Sequence, residues 1–131
     1  MLRASIDFVR HFRRPLLLIY TFLVLYLTLA PLPAPTGRAP WWFDKFAHFG
    51  IFVGMSGLLY LNLSREKRHQ ALRVVGTAAL IAGAIELMQS PLAFRSGDWW
   101  DFFWGGVGAV IGWVGGEWIE RTVKKPRGVA L

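Results

Sequence analysis

The chain has 131 residues, enough for a single domain. With 54% hydrophobic residues, 18% charged ones and a mean hydropathy of +0.39, it does not have the composition of an ordinary soluble domain, and the lack of cysteine excludes a disulfide framework or thiolate chemistry. The formal charge of +7 would suit nucleic acid, but its placement along the chain points to a membrane instead.

In chain order, Arg3, Arg10, Arg13 and Arg14 precede Pro15 and an apolar run from Leu16 to Leu29. A basic stretch before an apolar core also resembles a secretory signal. Pro31, Pro33 and Pro35 make a poor small-residue cleavage site, however, so a retained first helix is expected. Residues 31–40 form a proline-rich connector that cannot be helical throughout. Trp41-Trp42-Phe43 leads into a second apolar run, from Phe46 to about Leu63. A polar, basic loop over 64–73 follows, then a third run from Val74 to Met88, closed by Pro91. Beyond Arg95 to Asp98 a fourth run continues to about Ile119. Such runs approach the ~20 apolar residues that cross a bilayer. The expectation is one all-α domain over 1–131, a bundle of four transmembrane helices at about 15–31, 44–63, 73–90 and 99–119.

Four spans put alternate connectors on opposite sides, and the charges then sort. Twelve of the fifteen Lys and Arg fall in the N-terminal segment, the 64–73 loop and the C-terminal tail; Arg38, Lys45 and Arg95 fall on the other face. Cytoplasmic loops retain Lys and Arg, so both termini are expected in the cytoplasm of a cell membrane. Trp41, Trp42, Trp99 and Trp100 then form an outer aromatic belt, with Trp118 near the inner surface.

The acids divide in the same way. Asp7, Glu66, Glu117 and Glu120 sit among inner basic residues and read as solvated, paired charges. Asp44, Glu86, Asp98 and Asp101 fall at the outer ends of three helices. Asp44 and His48, at i and i+4, share a face. Lys45 points elsewhere, with its ammonium expected to snorkel along the interface. Beside them Ala47, Gly50, Gly54 and Gly57 form a small-residue stripe that suggests tight packing. In the third span Ala79, Ala82, Glu86 and Gln89 share a face, and in the fourth Asp98, Asp101, Gly105, Gly108 and Gly112 follow 3-4-3-4 spacing. Glycines on a stripe let another helix approach closely, so that face should look into the bundle.

Each polar residue also has a plain structural reading. His48 suits a satisfied interfacial histidine, and Asp44 and Asp98 suit helix caps. Glu86, about a turn inside its span, has no capping role and needs a proton or a partner. Arg95, whose planar fork takes a carboxylate bidentately, is the natural one. A network that only ties helix ends together therefore stands as an alternative to a functional site.

Asp44-Lys45-x-x-His48-Phe49, Glu86-x-x-Gln89, Arg95-x-x-Asp98-x-x-Asp101 and Gly108 together resemble the VanZ-like family of small integral membrane proteins, over roughly residues 41 to 116. The family is named for a protein associated with low-level resistance to the glycopeptide teicoplanin. One position departs from its pattern: where the family usually has Asn, four residues after the second Asp, this chain has Gly105. The resemblance implies activity at the outer membrane face, near cell-wall precursors, and an influence on glycopeptide susceptibility. It does not fix a reaction.

Two functions are expected to compete. In one, an outward-facing site handles a lipid-linked envelope substrate: His48, Glu86 and Asp101 serve as acid, base or orienting groups, while Asp44, Lys45, Gln89, Arg95 and Asp98 bind, Arg95 and Lys45 suiting a phosphate head group. In the other, a non-enzymatic polar crown recognises a partner or fixes the bundle. Ser90 and Ser96 lack any nucleophile context. A metal held by Asp44, His48, Glu86 and Asp101 has a reasonable ligand set but no specific spacing motif, so neither metal nor cofactor is expected. The expected partners are membrane lipids and a lipid-linked precursor, without nucleic acid, and a homo-oligomer is left open.

Overall fold

Proline punctuates the helices of this chain. The computed structural model describes residues 8, 11–30, 40–63, 67–92 and 98–124, and among these it forms four helices and no strand: α1 Arg13–Leu29, α2 Trp41–Asn62, α3 Lys67–Gln89 and α4 Trp99–Lys124. Pro15 sits in the first turn of α1, where its missing N–H has no helical partner to lose. Pro40 is the N-cap residue of α2, and Pro91 lies two residues beyond the end of α3, where it cannot continue a helix. Asp7, Arg38, Glu66, Arg95 and most of the 31–40 connector lie outside the described residues, as does the side chain of Trp41.

The expected spans fall within the helices to a few residues, but the polar 64–73 segment is not all loop, because α3 already begins at Lys67. Among the described residues one helix, over His69–Gln89, is long and apolar enough to cross a membrane. The 17 residues of α1 make about 26 Å of helix, short of the ~30 Å of bilayer hydrocarbon.

The tightest contact runs between α2 and α4, and glycine makes it possible. A Cβ on Gly108 would run into the carbonyl oxygen of Phe49, and one on Gly112 into that of Val53. Farther along, one on Gly116 would meet the Tyr60 ring at 2.7 Å. Backbone therefore packs on backbone, and the buried Ser56 hydroxyl crosses the seam to donate to the Ala109 carbonyl at 2.6 Å. The stripe on α4 faces into the bundle as the spacing predicts. The stripe on α2 does not: at Gly50 and Gly57 an added Cβ would meet nothing within 4 Å. Only Gly54 is closely approached, by the Tyr20 hydroxyl, which passes over it to donate to the Ile51 carbonyl at 2.9 Å. Around this seam Phe52, Met55, Leu59, Val74, Ala78, Ala82 and Ile85 form the core, and Val24 adds α1 to it.

Helix α1 runs antiparallel to α2. Arg13 donates to the Leu61 carbonyl at 3.0 Å, and Asn62 returns a bond to the Arg13 carbonyl at 2.9 Å. At its far end the Thr28 carbonyl accepts from the Gln89 amide at 2.8 Å.

Candidate functional site

Alternation of helix direction brings the starts of α2 and α4 and the end of α3 to one end of the bundle. Asp98 opens α4 as a cap, its Oδ1 accepting the Trp100 N–H at 3.0 Å. Its other oxygen receives the Lys45 ammonium at 2.9 Å. The Trp100 N–H and then Lys45 hold the Asp98 carboxyl below the usual carboxylate range.

Lys45 corrects a sequence expectation. It does not snorkel away from the cluster but reaches across to α4, contacting Asp98 and, at 3.2 Å, Asp101 Oδ1. Helical rotation does turn Lys45 off the Asp44–His48 face. The glycine seam brings α4 so near that the four-carbon stem spans the gap. The Lys45 and Asp101 side chains are 14% and 4% exposed, so this is a buried ion pair. Lys45 is thereby committed to carboxylates, which removes it as a free anion clamp.

Asp44 is also not the cap of its helix, since α2 starts three residues earlier. It lies in the first turn, where a negative charge favours the helix dipole. Its side chain is 50% exposed and within hydrogen-bonding reach of the Asp101 carboxyl. The Asp44 backbone carbonyl contacts His48 Nδ1 at 3.1 Å. A carbonyl can only accept, so Nδ1 carries the hydrogen and, in the neutral ring, Nε2 carries the lone pair.

That lone pair is the unusual feature of the site. The His48 side chain is 4% exposed, and Nε2 lies 3.6 Å from Glu86 Oε1 without a hydrogen-bond partner. Glu86 is largely buried, and its other oxygen accepts the Asp98 backbone N–H at 3.1 Å. Its expected partner Arg95 lies outside the described residues. Donor atoms of Asp44, His48 and Asp101 all fall within 4.8 Å of one another. Asp44, Lys45, His48, Glu86, Asp98 and Asp101 thus converge from three helices.

Gln89 does not join them: it is buried with its amide on Thr28, tying α3 to α1. Gly105, at the family's Asn position, serves packing, since a Cβ there would lie 3.1 Å from the ring of the fully buried Phe52. An Asn would need that ring to move.

At the opposite end, the buried Tyr60 hydroxyl donates to Glu120 and lies 3.4 Å from Glu117, which takes Arg121 at 3.1 Å. Glu117 and Glu120 are therefore more than solvated charges. The Tyr60, Ser56, Thr28 and Tyr20 contacts carry no spacing motif, because single hydroxyls on apolar helices form no pattern. Comparison with family models, with curated proteins and with solved structures finds no match for this chain.

Proposed function

We propose that this is a VanZ-like integral membrane protein of four spans, with both termini cytoplasmic and the His48–Glu86–Asp101 cluster at the extracytoplasmic end. The cluster binds, or acts on, a lipid-linked envelope substrate and through it influences glycopeptide susceptibility. The observation that carries the reading is the meeting of six ionisable side chains from α2, α3 and α4 at one end of the bundle. Intramembrane ionisable groups of this kind mark functional sites by default. The exterior supports a lipid setting: Leu18 and Phe22 on α1, Leu72, Leu80 and Leu87 on α3, and Ile111 on α4 are all exposed, more apolar surface than a soluble monomer shows. Trp42, Trp99 and Trp100 are exposed near the cluster and Trp118 toward the other end, where interfacial anchors belong. The twelve-to-three division of basic residues supports the sidedness.

A second reading, a structural crown, is favoured by the ion pairs of Lys45 and by the bond from the Asp98 N–H to Glu86, which already join the helix ends. Glu86→Gln separates the two. The amide oxygen still accepts from Asp98, and the new NH₂ can donate to His48 Nε2, so folding is retained while the negative charge is gone. Membrane abundance and teicoplanin susceptibility are measured on the same cells. The site reading predicts full abundance with a lost phenotype; an unchanged phenotype, or one lost only in step with abundance, sinks it.

A further inference from the structure

We propose that the cluster binds a divalent first-row transition metal ion, of the Mn²⁺ to Zn²⁺ kind, through the His48 imidazole and the carboxylates of Asp44 and Asp101, with Glu86, which faces His48 Nε2 at 3.6 Å, as a further oxygen donor. The inference stands on these side chains and does not depend on the envelope substrate. Its carrying observation is His48 Nε2: buried, the acceptor nitrogen of the neutral ring given the Nδ1 contact with the Asp44 carbonyl, and without a hydrogen-bond partner. The group facing it, Glu86 Oε1 at 3.6 Å, is another acceptor. Two acceptors face to face call for a cation or a proton between them. A histidine that gives one N–H to a backbone carbonyl and turns the other nitrogen inward is also the usual arrangement of a metal-ligating imidazole.

The carboxylates add to this. Asp44 and Asp101 come within hydrogen-bonding reach of each other, and two charged carboxylates hold that position only with a positive centre or a proton between them. Lys45 contacts Asp101 through Oδ1. The donor set, one imidazole nitrogen among carboxylate oxygens, suits manganese, iron or zinc; magnesium and calcium prefer oxygen alone. Bonds of ~2.0–2.2 Å draw donors closer together than the 4.8 Å spread seen here. Asp44, half-exposed in the first turn of α2, leaves the site open to solvent on its side.

The test uses the full chain, purified in detergent, stripped with a chelator and titrated separately with Zn²⁺, Mn²⁺ and Ca²⁺ by calorimetry, with metal content measured after dialysis. One Zn²⁺ or Mn²⁺ per chain is expected, bound more tightly than Ca²⁺. Asp44→Asn and His48→Ala should each weaken it about 100-fold, at least the loss that changes beyond the ligands themselves cause. His69→Ala, exposed on α3, should change nothing. Should His48→Ala fail to fold, Asp44→Asn, at a half-exposed side chain, decides alone. No saturable Zn²⁺ or Mn²⁺ binding, binding indifferent to Asp44→Asn, or Ca²⁺ bound as tightly as both overturns the proposal.

Discussion

The two ends of the α2–α4 seam carry polar clusters built on different principles. At the Tyr60 end a hydroxyl sits between two carboxylates, donating to Glu120, and an exposed arginine closes the set. At the Asp101 end four carboxylates, one lysine and one histidine crowd together, and a buried ring nitrogen has no hydrogen-bond partner. Polar groups at helix ends are common and mostly structural. What separates the second cluster from the first is the unmet requirement inside it, since a buried polar atom without a partner costs ~1–3 kcal/mol.

The contrast can be broken by removing the central donor at each end. Lys45→Met leaves Asp101 buried without its cation and should cost ~3–5 kcal/mol. Tyr60→Phe, which removes one hydroxyl donated to a charged acceptor, should cost about 1.5 kcal/mol. Thermal unfolding in one detergent compares the two, and equal losses would remove the distinction between the ends.

Both clusters hang on the glycine seam, so damage there should reach both. Gly108→Leu sets a side chain against the Phe49 backbone, which cannot yield as a flexible side chain would, and should cost ~1–3 kcal/mol or more. Gly115, where a Cβ meets nothing within 4 Å, should accept Ala with a gain of up to ~1 kcal/mol. Gly108→Leu protein that unfolds at the same temperature as the unaltered chain would contradict the seam.

The smallest effect concerns Asp98. Its carboxyl is held below the ordinary value by the Trp100 N–H and Lys45, so its contribution is fully present above the unfolded value of ~3.9 and fades as pH falls through the lower folded one. The stability difference between the chain and Asp98→Asn should therefore shrink on acidification to below about pH 4. A gap that widens in acid would show that the charge is not stabilising.

Much of this was legible in the sequence because helical periodicity reports one helix at a time. Asp101, Gly105, Gly108 and Gly112 fall on one face at 3-4-3-4 spacing, and all four are buried. The same reasoning misplaced Gly50 and Gly57: small residues permit close approach but do not bring a neighbour. Lys45 was misread because period gives the direction in which a side chain leaves its helix, whereas partners depend on how near the next helix lies. Gln89 shared a face with Glu86, yet it turns to Thr28 on α1, a contact between helices distant in sequence.

Three of the hydrogen-bonded anchors of α1 have one more consequence. Arg13, Tyr20 and Thr28 stand seven and eight residues apart, and thus roughly 10.5 and 12 Å along the helix axis. Each is hydrogen-bonded to a different place: Leu61 and Asn62, Ile51, and Gln89. A slide by a single turn would unmake all three together and bring Leu16 or Val24, neither with a hydroxyl, to the notch at Gly54. Helix α1 is indexed like a key with three wards, and it engages or withdraws whole. Hydrogen exchange should then find its central amides opening as one class, and a graded series from one end to the other would show the helix peeling instead.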